Sequence, residues 1–399
     1  MQPLKPTIGQ PATGREHYFD RPQISQQIRR GLERGGNLLI SAPRRIGKSS
    51  LIKHLLTQAA ANEIIIYISV QSATHSNEFF EKLFKELIKN NTVFAGMNGF
   101  TQRASAGLKN IISRVRNITL EGGLEIDKTA NIDYYTELQT LIKALTEKKV
   151  ILLLDEFPDA VSNMIRRNKQ LAIEFLLQMR ELRQISSDLG LQFILTGSSG
   201  LANVVSQLGE NDLINDLEEI SVPPYTEQEA SVFIQRLVLG YQIHYSSDFQ
   251  INDNTLAYIL EKINWRLPYY LQIMIKSLFE AFENKQIIAE PATVDKVLAA
   301  MLTAQSEYYG YFQYWYQRLQ DNLDNASYQA AIEMLNQLAC DKVSSLAQLK
   351  SLPFATKPKL PVKQILNILE HDGYISQHQQ QYGFNSFLLK QWWVEHVAD

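Results

Sequence analysis

The sequence predicts an α/β fold with a five-stranded parallel sheet, followed by a helical lid and a winged helix, and three features carry that expectation. Between Leu38 and Val222, short continuous apolar runs alternate with longer amphipathic stretches. Strands buried on both faces read this way, because helices cover both sides of a parallel sheet. At Pro223-Pro224 the alternation stops, and Thr226-Glu227-Gln228-Glu229 has the spacing of a capping box at a helix start. From about Asp324, two helical patterns lead into Asp372-Gly373-Tyr374-Ile375, a polar turn, Tyr382-Gly383-Phe384 and a last helix, which is the order of a winged helix.

The five runs are Leu38 to Ile40, Ile64 to Val70, Val150 to Leu154, Leu191 to Leu195 and the weaker Leu217 to Val222. Between the second and third lies an insertion at about 91–130, in which Ile118 to Ile126 reads as a hairpin around Gly122-Gly123. These divisions give a core over 1–222 with an N-terminal arm, a helical lid over 223–310 and a winged helix over 311–399. The aromatic residues Tyr308, Tyr309, Tyr311, Phe312, Tyr314, Trp315 and Tyr316 stand at the last boundary. They are expected to pack subdomains together, a binding surface being the other reading.

Composition excludes several classes. The 39 lysines and arginines nearly balance 42 aspartates and glutamates, so any contact with nucleic acid has to be local. One cysteine, Cys340, rules out an internal disulfide framework and a thiolate zinc cluster, and is expected in a core. No run is long enough to span a bilayer and the N-terminus has no apolar signal region, so a cytoplasmic protein without a membrane partner is expected.

The chemistry starts at residues 41–50, Ser-Ala-Pro-Arg-Arg-Ile-Gly-Lys-Ser-Ser, directly behind the first run. A phosphate loop of the type G-x-x-x-x-G-K-[ST] needs a strand before it and a helix after it. Leu51, Ile52, Leu55 and Leu56 supply that helix by their spacing. Gly47 lets the backbone turn so that consecutive amides aim inward, and the helix N-terminus adds partial positive charge. The pattern suits ATP with Mg²⁺: Lys48 for the β and γ phosphates, Ser49 for the metal. Ala42 stands where the motif has its first glycine, and Pro43 has no amide hydrogen. The donors are therefore the amides of Arg45, Ile46, Gly47, Lys48 and Ser49, with Arg44 and Ser50 completing the loop.

A metal held there needs an acid at the end of another strand. Val150-Ile151-Leu152-Leu153-Leu154-Asp155-Glu156 ends in two. Asp155 is expected to complete the metal shell and Glu156 to polarise the attacking water. A solvated acidic pair is the plainer alternative. The fourth run ends in Thr196-Gly197-Ser198-Ser199, where Thr196 is the candidate to sense the γ phosphate or position water, with a Gly-Ser turn as its rival.

Tyr18-Phe19-Asp20-Arg21, the Pro-Arg-Arg-x-Gly-Lys loop, Leu153-Leu154-Asp155-Glu156-Phe157-Pro158, Leu195-Thr196-Gly197-Ser198 and Leu267-Pro268-Tyr269-Tyr270 occur in this order. Together with the C-terminal Asp372-Gly373-Tyr374-Ile375 and Phe384-Asn385-Ser386-Phe387-Leu388-Leu389, they resemble the prokaryotic AAA-like/STAND ATPases of the archaeal-ATPase family. The resemblance implies a P-loop NTPase of the ASCE type, slow or partner-stimulated ATP hydrolysis, and a switch whose ATP and ADP forms control a partner or drive assembly into homo-oligomers. It implies that the segment around Arg21 and the turn at Pro268 flank adenine and sugar. The chain has no arginine between Arg183 and Arg236, where ring ATPases carry their finger, so Arg166, Arg167, Arg180 and Arg183 are the substitutes to test, a solvated helix face being the plainer reading of most of them. Arg266 is a further candidate for a γ-phosphate contact.

An alternative is a regulator in which nucleotide is structural and the winged helix docks DNA or protein. Lys350, Lys357, Lys359 and Lys363 lie in a stretch without acids and could neutralise DNA phosphates, whereas Gln377 to Gln381 has no lysine or arginine. The two kinds of partner remain level. Arg103, Lys109, Arg114 and Arg116 form a second basic cluster, read as a solvated helix face. Family analogy adds a mobile-element or anti-phage system with an effector encoded elsewhere.

Overall fold

The structure is a computed structural model and describes residues 1–91, 93, 112, 132–143, 149–187, 189–197, 200–354 and 356–398. The expected hairpin at Ile118 to Ile126, the basic cluster before it and Ser198-Ser199 lie outside these residues. The chain divides into two compact units: residues 21–42 with 54–222, and residues 1–20 with 43–53 and 223–399.

The first half of the chain contains α1 (Pro22–Glu33), β1 (Asn37–Ser41), α2 (Lys48–Thr57), β2 (Glu63–Ser69), α3 (Ser76–Lys89), α4 (Tyr134–Lys143), β3 (Lys149–Asp155), α5 (Phe157–Arg167), α6 (Lys169–Ser187), β4 (Leu191–Gly197), α7 (Leu201–Ser206) and β5 (Leu217–Ser221). The five strands form one parallel sheet in the order β2-β3-β4-β1-β5. β4 therefore lies between β1 and β3, the ASCE arrangement. The central strands are buried on both faces. Leu39, Leu152, Leu154, Phe193 and Leu195 belong to one core, while Leu38, Ile40, Ile151, Leu153 and Ile194 are buried on alternate positions. In that core Phe79 of α3 meets Phe175 of α6 at 4.8 Å and Phe157 of α5 at 5.8 Å, edge to face. Burying each such ring contributes roughly 2–3 kcal/mol, so α3, α5 and α6 are held chiefly by this cluster.

The other unit is built on α8 (Glu227–Tyr245), α9 (Asp253–Lys262), α10 (Pro268–Lys285), α11 (Pro291–Leu302) and α12 (Tyr309–Asn322). The capping box expected at Thr226 and Glu229 is present in both directions, at 3.2 and 2.8 Å. The N-terminal arm lies along α8: the Leu4 amide donates to the Arg236 carbonyl, and Phe19 packs on Tyr225 and Phe233. Then follow α13 (Asn325–Cys340), β6 (Ser344–Ser345), α14 (Leu346–Lys350), α15 (Val362–Asp372), β7 (Ile375–His378), β8 (Gln381–Phe384) and α16 (Phe387–His396). β7 and β8 form an antiparallel hairpin and β6 adds to its β8 side.

Of the aromatic cluster, Tyr308, Tyr311, Phe312 and Trp315 are buried, and the Tyr374 hydroxyl donates to the Trp315 carbonyl at 2.7 Å. Cys340 corrects the expectation of a core thiol. It is exposed, because the buried stripe of α13 passes through Leu335, Leu338 and Ala339 and the helix ends with Cys340 off that stripe.

Candidate functional site

Parallel registry aligns the strand ends. Ile40 and Ser41 pair with Thr196 and Gly197, Leu154 pairs with Leu195, and Ser69 pairs with Asp155. The carboxyl ends of β1, β2, β3 and β4 thus share one sheet edge, where ligands of open α/β sheets bind. Asp155 is buried there. Its Oδ1 accepts from the Thr196 hydroxyl at 2.5 Å and from the Glu156 amide at 3.1 Å, and its Oδ2 accepts from the Tyr67 hydroxyl at 3.0 Å. Burial pushes the Tyr67 phenol up to about 12, helped by the Asp155 carboxylate beside it, so Tyr67 remains a donor at neutral pH.

Glu156 precedes α5 in the left-handed conformation, φ 57° and ψ 41°. A glutamate there is strained by about 1 kcal/mol or more, the kind of cost found where a side chain is aimed for function. Gly197 owes its identity to a close approach: a Cβ would lie 2.4 Å from Pro158 at the start of α5. The structure therefore brings Asp155, Glu156 and Thr196 together and adds Tyr67. Sequence reading missed Tyr67; its only signal is a hydroxylated ring near the end of an otherwise aliphatic run.

The loop follows β1 directly in the chain. Ala42 and Ile46 are buried, and α2 starts at Lys48 with the Leu51 amide donating to the Gly47 carbonyl at 2.9 Å. Gly47 has φ 93°, open to glycine and strained for other residues, and a Cβ there would meet nothing within 4 Å. The space beside Gly47 is thus open. Arg45 also has positive φ, 67°. Its guanidinium lies 4.7 Å from the Tyr269 ring and 5.4 Å from the Tyr311 ring, and that of Arg44 lies 5.2 Å from Tyr314. A Cβ at Gly373 would lie 3.2 Å from that of Pro43. The Ser50 hydroxyl accepts from the Ala12 amide of the N-terminal arm at 2.9 Å. Lys48 is largely buried, and Ser49 is half-buried in the first turn of α2.

Arg21 is buried immediately before α1, and Pro268 is buried at the first position of α10, next to Tyr269. Arg183 is removed from the candidate fingers. It is buried and forked onto Asp216 by two bonds of 2.7 Å, with a third bond to the Leu213 carbonyl, so it ties α6 to the segment before β5. Arg266 pairs with Glu227 at 3.3 Å. Lys350, Lys357, Lys359 and Lys363 are all exposed, around α14 and the start of α15.

The donors fit a hard cation carried by a nucleotide. Among the described residues no group of three or more His, Cys, Asp or Glu side chains could hold a metal alone. A single carboxylate such as Asp155 suits a Mg²⁺ ion when phosphate and water supply most of its other ligands. No helix among the described residues is long and apolar enough to cross a membrane.

Residues 29–205 match the family model of an AAA domain. In structure the chain is similar to the Walker-type ATPase PABY2304 of Pyrococcus abyssi, at 18% identity and a TM-score of 0.59, over 96% of this chain and 98% of that one. It is also similar to the Aeropyrum pernix ORC2 protein in its ADPNP-ADP complexes, at 13% identity and a TM-score of 0.53, over 94% and 91%. No curated protein is significantly similar in sequence.

Proposed function

We propose that this chain, whose residues 29–205 match the family model of an AAA domain, is a nucleotide-operated ATPase switch whose ATP and ADP forms control a partner. Lys48 and the amides of Arg45 to Ser49 hold the phosphates, with Ala42, Pro43, Arg44 and Ser50 shaping the loop. Ser49 and Asp155 are the protein's ligands for Mg²⁺, and Arg21 and Pro268 flank adenine and sugar. When bound with ATP, the metal neutralises charge on the transferred phosphoryl group. Glu156 takes a proton from the attacking water, and water then displaces ADP from the γ phosphorus in line. Thr196 holds the Asp155 carboxylate at the strand end.

The observation that carries this reading is the Asp155 carboxylate, buried yet fixed on both oxygens by Thr196 and Tyr67. A merely solvated acidic pair has no such need. Multiple-turnover assays test it. Lys48→Ala should abolish nucleotide binding, whereas Glu156→Gln should bind ATP and hydrolyse it roughly a hundredfold more slowly. Hydrolysis by Glu156→Gln at the wild-type rate overturns the assignment of the base. For the switch, light scattering with ATP, ADP and no nucleotide should show a change in mass or shape; a monomer of constant radius in all three overturns assembly.

A second reading has the C-terminal helices and hairpin acting as a winged helix that docks DNA. The four exposed lysines around α14 and α15 favour it. Binding of a DNA duplex that weakens steeply with salt, and falls when these lysines are replaced, tests that reading.

A further inference from the structure

Arg45 combines two features that explain each other. It is one of six described non-glycine residues with positive φ, and its guanidinium lies against two adjoining tyrosine rings, Tyr269 at the start of α10 and Tyr311 in α12. A left-handed arginine is costly, because its Cβ crowds the following carbonyl. The turn nonetheless needs that conformation, since Arg45 and Gly47 together reverse the chain between Pro43 and α2. An aromatic face attracts a guanidinium through the ring's quadrupole, and here two adjoining rings attract it from the same side. Tyr311 is buried among Tyr270, Phe312 and Trp315, and Tyr269 packs on it at 4.6 Å, so the two rings form a packed platform for Arg45.

We propose that Tyr269 and Tyr311 are positioning residues for nucleotide binding: their rings hold Arg45 in the left-handed conformation that aims the loop amides at phosphate. The proposal rests on the reading of residues 42–50 as the nucleotide loop. The role belongs to the ring faces, so the hydroxyl of Tyr269 is dispensable. It also makes a specific demand: once Arg45 is a glycine, which adopts that conformation without help, the two rings are no longer needed.

The test is calorimetric titration of the full chain with ADP plus Mg²⁺. Tyr269 is half-buried, so Tyr269→Leu fills its place without the quadrupole, and thermal unfolding without nucleotide checks that it folds. Tyr269→Leu should weaken ADP binding roughly three- to tenfold, the effect of losing one ring of a cation–π pair. Tyr269→Phe should bind as wild type, and Arg45→Gly combined with Tyr269→Leu should regain most of the lost affinity. A Tyr269→Leu variant that binds as wild type, a Tyr269→Phe variant as weak as Tyr269→Leu, or a double variant no better than Tyr269→Leu would each overturn the positioning role of the rings. Absence of ADP and ATP binding by the wild-type chain would instead overturn the nucleotide reading itself, so the two failures are distinct.

Discussion

Thr196 donates its hydroxyl proton to Asp155 Oδ1 at 2.5 Å, a bond between the ends of β4 and β3 across 41 residues of chain. Both residues are buried, and a charge-assisted hydrogen bond in such surroundings is among the stronger ones. Thr196→Val keeps the shape and removes the donor. It should cost about 1–3 kcal/mol in denaturant unfolding. If the carboxylate's placement matters fully in the transition state, about 1.4 kcal/mol of it appears as roughly tenfold slower ATP hydrolysis. Thr196→Ser should retain both properties, and a Thr196→Val protein equal to wild type in both measurements would remove the bond from the mechanism.

Tyr67 holds the other oxygen of the same carboxylate. Tyr67 is 43% exposed, so Tyr67→Phe should cost no more than about 1 kcal/mol in stability. Its clearer effect should be a several-fold rise in the Mg²⁺ concentration giving half-maximal ATPase rate. Burial, and then the Asp155 charge, push the phenol up to about 12. The ratio of wild-type to Tyr67→Phe rates should therefore be constant from about pH 6.5 to 9, a window in which the phenol keeps its proton. A ratio that changes across that window would show the phenol ionising there.

Arg183 and Asp216 make the opposite kind of pair, structural and remote from proton transfer. Arg183→Ala leaves Asp216 without its forked partner and should cost about 3–5 kcal/mol, read from the denaturant midpoint. Turnover per folded molecule should be unchanged. A selective loss of turnover, with normal stability, would return Arg183 to the list of fingers.

Asp324 caps α13, accepting from the Ser327 hydroxyl and from the Ala326 and Ser327 amides. Burial tends to raise its pKa, but these bonds together with Lys359 hold the carboxyl below its ordinary 3.8. A carboxyl lowered in the folded state stabilises above its unfolded pKa, and that contribution disappears as pH falls through the folded one. Asp324→Ala should thus cost about 1 kcal/mol at neutral pH and progressively less below about pH 4. An Asp324→Ala penalty that stays constant down to about pH 3 would show that the cap does not depend on ionisation.

Much of this was legible without coordinates, because the signals are local. Continuous aliphatic runs mark the strands, of which β3 and β4 are buried on both faces while the edge strands β2 and β5 are partly exposed, and Thr226 with Glu229 marks a helix start within four residues. The loop declares itself by Gly47, Lys48 and Ser49 between such a run and a helical pattern. Asp155 and Glu156 do so at the end of another run. Tyr67 and Tyr269 could not be found in this way. Their roles depend on partners 88 and 224 positions away, and a tyrosine in a strand or at a helix start satisfies local patterning equally well with or without such partners. Cys340 and Arg183 were misread for the same reason: one missed a buried stripe by a fraction of a turn, and the other found Asp216.

The sequence by itself determined the class of fold, the glycine-lysine-serine loop between strand and helix, and the acidic strand end, since each is encoded by periodicity or by residues that are neighbours in the chain. Tertiary structure alone decided the strand order, the two donors on Asp155 and the aromatic rings on Arg45. Registry between strands and the meeting of rings with guanidinium groups are set by packing over long separations, which no local pattern specifies.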